Sequence, residues 1–207
     1  MRKLAVFATS FACLFFTQLA FGQFSSDQQG DIFLGGGTLV SSSSTTVNSL
    51  LPAEKGGTYL NLGGDAVFLK HHLGINVETA WRATQGFYAE GENYRPILTD
   101  FNLLFQPHLG NKFGLDIMGG IGAADTRFYE PGASTPGYAN YVGTDHFMQH
   151  FGGGIRYYVW HHVFVRPEIH YYHIQNNNNV NNSGYFDSNN VFRVGASVGY
   201  TIGGGSD

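Results

Sequence analysis

The sequence predicts an all-β fold, an eight-stranded antiparallel up-and-down transmembrane β-barrel with short turns at one end and long loops at the other. Apolar and polar residues alternate with a period of two in several segments of about ten residues, as in strands with one apolar and one polar face. No segment after residue 22 reaches the roughly 18 uninterrupted apolar residues of a spanning helix. Charged residues make up only 13% of the chain, which contains 29 Gly, 18 Phe and 12 Tyr. Such a composition is typical of membrane strands, whose hydrophobicity lies at alternate residues.

The first 22 residues are predicted to be a cleaved signal peptide. Arg2 and Lys3 precede an uncharged, mostly apolar stretch at 4–19, and small residues follow up to Gly22, where a signal peptidase would cut. Removal of 22 residues from 207 leaves 185, a length normal for one domain. We therefore expect residues 23–207 to form a single exported barrel domain.

The composition of the mature chain excludes several classes of protein. The only cysteine, Cys13, lies within the signal, so disulfides and cysteine-ligated metals are excluded. Without Arg2 and Lys3, the chain has 9 Lys and Arg against 15 Asp and Glu and no basic run. This acidic balance excludes nucleic acid as a partner, and no feature of the sequence indicates a cofactor.

The alternation places eight strands, each long enough to cross a bilayer at a tilt. It is clearest in LGINVETAWR at 73–82, in VFVRPEIHYY at 163–172 and in FRVGASVGYTI at 192–202. The same alternation, sought in the rest of the chain, identifies the remaining five strands. The expected strands are 30–40, 58–69, 73–83, 97–108, 113–124, 146–159, 163–174 and 191–203.

The connections between these strands alternate in length. Three are tight turns, at 70–72, 109–112 and 160–162. The other four are rich in Ser, Thr, Asn, Gly and Pro and lie at 41–57, 84–96, 125–145 and 175–190. Short periplasmic turns and long extracellular loops are the asymmetry of outer-membrane barrels, so both termini are expected in the periplasm.

Charge indicates which face of the strands meets lipid. One face of the clearest strands carries no Asp, Glu, Lys or Arg, and a Lys or Arg at the bilayer midplane costs roughly 2–4 kcal/mol. The charged face is therefore predicted to line the lumen. The predicted lumenal charge network comprises Asp65, Glu78, Arg82, Asp100, Asp116, Arg156, Arg166, Glu168 and Arg193.

The signs of these nine groups are nearly balanced, which favours a plug of salt bridges over an open ion path, because buried charges need partners. Glu78 and Glu168 are the expected partners of the arginines. A narrow ion or small-solute channel is the alternative. A soluble lipocalin-like barrel would reverse the two faces, but an eight-stranded interior is too narrow to hold the large apolar side chains.

Aromatic residues near the predicted strand ends are expected to form a girdle at each membrane interface, where amphipathic rings are favoured. The periplasmic girdle would comprise Phe68, Phe105, Phe113, Tyr157 and Trp160. The outer girdle would comprise Trp81, Phe147, Tyr171 and Phe192.

Three stretches carry a family resemblance: LNLGGDAVFL at 60–69, LGINVETAWR at 73–82 and VRPEIHYY at 165–172. With them, the chain resembles the OmpA-type eight-stranded outer-membrane barrels over essentially its whole mature length. The resemblance implies a monomeric integral outer-membrane protein in contact with membrane lipids, lipopolysaccharide and, during biogenesis, the assembly machinery. Such proteins usually end on an aromatic residue, whereas this chain continues through 203–207.

Three further features are candidates for function: the histidines, one short motif and the loops. Five of the nine histidines fall at the turns, and four lie towards the outer rim: His146, His150, His170 and His173. They show no fixed ligand spacing, so interfacial polar residues are expected rather than a metal site. Residues 173–176 resemble the His-x-Ser-Asn signature of lipid A deacylases, but Gln175 replaces the nucleophilic Ser, so no catalytic residue and no enzyme activity are expected. The loops are candidates for binding an unidentified extracellular ligand, since recognition usually sits on loops; the alternative is a solvated, variable surface that binds no ligand.

Overall fold

The computed structural model describes residues 28–41, 54–69, 72–88, 92–110, 112–129, 141–175 and 189–203. The predicted signal peptide and residues 42–53, 89–91, 130–140 and 176–188 of the predicted loops lie outside the described residues. Within the described part of the chain, no helix is long and apolar enough to cross a membrane.

The described chain consists of nine strands. They are β1 (Gln29–Ser41), β2 (Tyr59–Leu69), β3 (Leu73–Arg82), β4 (Gly86–Tyr88), β5 (Glu92–Phe105), β6 (Phe113–Tyr129), β7 (Tyr141–Tyr158), β8 (Val163–Ile174) and β9 (Asn190–Gly203). Eight of them pair antiparallel with their chain neighbours, and β1 pairs with β9 to close a barrel. The ninth, β4, pairs only with the start of β5, while β3 pairs directly with the rest of β5. The predicted eight-stranded up-and-down barrel is confirmed.

The strand bounds differ from the prediction mainly at the loop end. The predicted loop at 84–96 contains β4 and the first residues of β5, and β6 and β7 continue well into the predicted loop at 125–145. We call the paired residues 125–129 of β6 and 141–145 of β7 the β6–β7 ribbon. It ends where Tyr129 faces Tyr141, and its β6 side also pairs with residues 93–97 of β5. Within the ribbon Thr126 is buried and Val142 is exposed, and backbone pairing continues after the apolar alternation has faded.

The barrel has its apolar side chains outside and its charges inside. Leu103 is 73% exposed and Phe151 is 60% exposed on the outer surface, whereas Arg156 and Arg166 are fully buried within the barrel. The alternation of side chains explains why apolar residues lie outside and charged residues inside, because successive side chains of a strand point to opposite faces of the sheet. A closed barrel turns one of those faces entirely inwards.

The interior is apolar near the loop end and polar in its middle. Along β8, the inward residues run from Phe164 through Arg166, Glu168 and His170 to Tyr172. The inward side chains at the loop end form one buried apolar cluster of Leu39, Tyr59, Leu98, Ala124, Met148, Tyr172, Ile174 and Val191. The charged middle of the barrel is therefore covered on the loop side by packed apolar side chains.

Small inward residues make room for these large side chains. A Cβ added at Gly120 would lie 2.7 Å from the Cα of Asn102 and against the carbonyl oxygen of Phe101, both backbone atoms. One residue earlier, Gly119 faces outwards, and its Cβ would first meet the side chain of Phe151 at 3.3 Å. Backbone atoms of a neighbouring strand cannot yield as a side chain can.

This contrast gives a testable prediction. We expect Gly120→Ala to lower the free energy of unfolding by about 1–3 kcal/mol, the usual cost of overpacking, as measured by urea titration of the folded protein in detergent. Gly119→Ala is the matched control and should stay within about 0.5 kcal/mol of the wild type. Equal effects of the two substitutions would contradict the inward position of Gly120.

Candidate functional site

The barrel interior gathers most of the charged residues predicted to line it. Eight of the nine are buried: Asp65, Glu78, Asp100, Asp116, Arg156, Arg166, Glu168 and Arg193. Arg82 is only half-buried, at the loop end of β3, where it donates a hydrogen bond to the Tyr94 hydroxyl at 3.0 Å. Asp31 was not predicted, yet it is fully buried among these groups.

Arg156 is the centre of the first half of the network. Its Nε donates to both carboxylate oxygens of Asp116 at 2.9 and 2.8 Å. Its two terminal nitrogens each donate to a further aspartate at 2.5 Å, Nη1 to Asp31 and Nη2 to Asp65. The three aspartates come from β1, β2 and β6, so one guanidinium joins widely separated parts of the barrel wall.

Arg166 connects this half to the second half. Its Nη1 donates to Asp116 at 2.8 Å, and its Nε donates to Glu168 at 3.0 Å. Both guanidinium groups lie over aromatic faces: the Cζ of Arg156 is 4.3 Å from the ring centroid of Phe164, and that of Arg166 is 4.2 Å from that of Phe33. Aromatic faces supply favourable cation–π contacts where water is excluded.

Arg193 holds the second half of the network together. It forms ion pairs with Glu78 and, at 3.2 Å, with Glu168. Glu168 also accepts hydrogen bonds from Ser197 Oγ at 3.0 Å and from Asn61 Nδ2 at 3.2 Å. The expected pairing of Glu78 and Glu168 with arginines is therefore what the structure contains, with Arg166 and Arg193 as the partners.

The interpretation of His150 and His170 as interfacial residues is wrong. Both are fully buried in the second half of the network. The ring of His150 lies nearly parallel to the rings of His170 and Tyr172, with centroid distances of 5.1 and 4.8 Å. Strand parity could have placed them, because His150 and Arg156 are an even number of positions apart, as are His170 and Arg166.

The predicted balance of charge is also corrected. Asp31 joins the interior and Arg82 leaves it, so the described strands turn six buried carboxyl groups but only three buried guanidinium groups inwards; Glu54, which precedes β2, is a seventh buried carboxyl group. The six are Asp31, Asp65, Glu78, Asp100, Asp116 and Glu168. Glu78 and Asp100 even face each other across β3 and β5. The interior of the described barrel therefore contains more acidic than basic side chains.

The nine residues predicted to form the aromatic girdles lie on the outer face. Seven are exposed, and Trp81 and Tyr171 are half-buried. Two pairs are in ring contact across neighbouring strands: the ring centroids of Phe113 and Tyr157 are 5.2 Å apart, and those of Tyr171 and Phe192 are 5.0 Å apart. These pairs lie at opposite ends of the barrel.

No protein-family model and no curated protein sequence matches the chain. A major outer membrane protein from Thermus thermophilus matches its structure with a TM-score of 0.57 and 10% identity, over 84% of this chain and 98% of that chain. Ail, the attachment invasion locus protein of Yersinia pestis, in complex with the heparin analogue sucrose octasulfate, matches with a TM-score of 0.56 and 10% identity, over 84% of this chain and 99% of that chain. Neisserial surface protein A matches with a TM-score of 0.55 and 9% identity, over 85% of this chain and 97% of that chain. The chain therefore has the fold of eight-stranded outer-membrane β-barrels.

Proposed function

We propose that this chain is an integral outer-membrane protein that anchors in the bilayer, presents its long loops at the cell surface and has a lumen plugged by paired charges. The observation that carries the proposal is the distribution of side chains, with Leu103 and Phe151 exposed on the outside and Arg156 and Arg166 buried inside. A soluble protein would leave this apolar exterior in water, whereas lipid is its natural solvent. The predicted signal peptide supports export to that membrane.

The plug follows from the packing of the interior. The two inner arginines, Arg156 and Arg166, are bonded to carboxylates on several sides and stacked on aromatic rings. The apolar cluster around Tyr172 and Met148 covers them on the loop side. Eight strands leave room for side chains and little more, so this interior favours a plug over the alternative of a narrow channel.

Function would then lie in the loops and the outer surface. Membrane lipids and lipopolysaccharide would contact the apolar exterior, the assembly machinery would act during insertion, and an extracellular ligand would bind the loops. We propose a monomer without enzymatic activity, because Gln175 stands where the His-x-Ser-Asn pattern needs its nucleophilic Ser.

The test is to fold the mature chain, residues 23–207, into phospholipid vesicles. We expect a faster-migrating band before boiling, a strong β signal in circular dichroism, co-flotation with the vesicles and an ion leak no greater than that of empty vesicles. Folding in buffer without lipid or detergent would overturn the membrane assignment. Membrane insertion with an ion leak that Glu78→Gln alters would instead establish the channel alternative.

A further inference from the structure

The second half of the interior network contains three buried groups placed as metal ligands are. One ligand atom each from Glu78, Glu168 and His170 lies within 4.8 Å of the other two, and all three residues are buried. A mixed set of imidazole and carboxylate ligands is typical of zinc and of other first-row divalent ions. Glu78 comes from β3 and the other two from β8, so the barrel must close before the set exists.

Hydrogen bonds determine which nitrogen of His170 faces this cluster with a lone pair. The side-chain nitrogen of Asn102 donates to Asp100 Oδ1 at 2.5 Å and to Asn76 Oδ1 at 2.8 Å. The Asn102 oxygen must then accept from His150 Nδ1, which lies 2.7 Å away. Turning the amide around would set its oxygen against a carboxylate, which is repulsive.

The hydrogen bonds of His150 determine which nitrogen of His170 carries the proton. A neutral imidazole has one donor and one acceptor nitrogen, so His150 Nε2 is the acceptor. The atom 2.9 Å from it, His170 Nδ1, must therefore be the donor. This leaves a lone pair on His170 Nε2, which makes no hydrogen bond and lies 3.6 Å from Glu168 Oε1.

A cation placed between the His170 Nε2 lone pair and the neighbouring carboxyl oxygens would be attracted by both. The three carboxyl groups of this half are Glu78, Asp100 and Glu168, and their guanidinium partners are Arg193 and Arg166, of which Arg166 is shared with Asp116 in the first half. Carboxyl groups are therefore in excess of guanidinium groups here. A divalent ion would neutralise that excess. The second carboxylate oxygen of Glu78, Oε2, also makes no hydrogen bond although the residue is buried.

We propose that Glu78, Glu168 and His170 bind a divalent first-row metal ion, of the zinc class, inside the barrel. His150 and Asn102 are positioning residues that set the tautomer and orientation of His170, as outer-shell partners of ligating histidines commonly do. The ion is structural, because the apolar cluster around Tyr172 covers the site on the loop side. It enters while the barrel closes.

The probe is Zn²⁺ added during folding. The mature chain is folded into detergent micelles with and without Zn²⁺, passed through a chelating column and analysed for bound metal by mass spectrometry. We expect one retained ion per folded chain and a higher midpoint of thermal unfolding in the zinc-folded sample. No retained metal in folded wild-type protein would overturn the proposal.

Substitutions distinguish metal binding at this site from metal binding by surface histidines. His170→Gln should abolish retention, and His150→Gln should weaken Zn²⁺ binding roughly 10- to 100-fold, as loss of an outer-shell partner does. The control is the double variant of two exposed turn residues, His161→Gln with His162→Gln, which should retain metal as the wild type does. If only the control loses metal, the binding is surface chelation and the proposal fails.

Heat-modifiability on gels shows whether each variant has folded. If His170→Gln does not fold, Glu78→Gln replaces it, because a neutral amide of the same shape keeps the packing and removes the charged ligand. Full zinc retention by folded Glu78→Gln would also overturn the proposed ligand set.

Discussion

Replacing Arg156 by Met is expected to lower the free energy of unfolding by about 3–5 kcal/mol, the range for removing one partner of a buried ion pair. The substitution keeps an unbranched chain of similar length over the Phe164 ring. It leaves Asp31, Asp65 and Asp116 close together without the guanidinium that contacts all three. Urea unfolding of the detergent-folded protein, followed by gel mobility, measures the loss.

Arg127 provides the matched control for this substitution. It pairs with Asp125 at 3.4 Å in the β6–β7 ribbon, where the two side chains are 36% and 27% exposed. Arg127→Met should therefore change the free energy of unfolding by less than about 1 kcal/mol, as for other solvent-exposed pairs. A comparably small loss for Arg156→Met would mean that water reaches the interior and that the lumen is open.

A double variant tests whether Arg156 and Asp65 interact. Arg156→Met combined with Asp65→Asn removes one positive and one negative group from the interior. Because the penalty in the single variant comes from uncompensated buried carboxylates, the double variant should recover part of the lost stability. Strict additivity of the two substitutions would show that Arg156 and Asp65 do not interact.

Introducing Arg at Phe151 is expected to destabilise the membrane-inserted barrel by about 2–4 kcal/mol, the cost of a cation on the lipid face near the midplane. Phe151 is 60% exposed on the outer surface of β7, between the girdle residues Phe147 and Tyr157 of the same strand. The new guanidinium would have no interior partner to reach. Reversible urea unfolding in phospholipid vesicles measures the difference from wild type.

Two controls distinguish the effect of lipid contact on stability from other causes of destabilisation. Phe151→Ala removes the ring without adding charge, and the excess loss in Phe151→Arg is the cost of the cation in lipid. Val142→Arg places the same charge on the same strand beyond Phe147, at an exposed residue of the ribbon, and should be nearly neutral. Equal effects at positions 142 and 151 would contradict the lipid-facing role of the barrel exterior.

The number of strands and their two faces could be predicted from the sequence because both depend on local alternation. A strand turns successive side chains to opposite faces, so Glu78 and Arg166 could be assigned to the charged face without knowing their neighbours. The same parity would have placed His150 and His170 inside. Their positions near predicted strand ends led instead to an interfacial interpretation.

The ribbon of β6 and β7 and the hairpin of β4 could not be predicted in this way. Residues 125–129 pair with 141–145 in the ribbon, and β4 pairs with residues 92–94 of β5. Backbone pairing of this kind leaves no hydrophobic signature in the sequence. Charge balance failed for a related reason. Asp31 lies in the glycine-rich first strand, where the alternation is weak, and Arg82 lies at a rim that pattern alone does not locate.

By itself, the sequence determined the fold class, the approximate strands and the separation of an apolar from a charged face, since each depends on residues adjacent in the chain. Only the tertiary structure decided which charges meet. Asp31 and Arg156 are 125 positions apart and share a 2.5 Å ion pair. Barrel closure and strand register bring such groups together, and neither can be read from the spacing of residues along the chain.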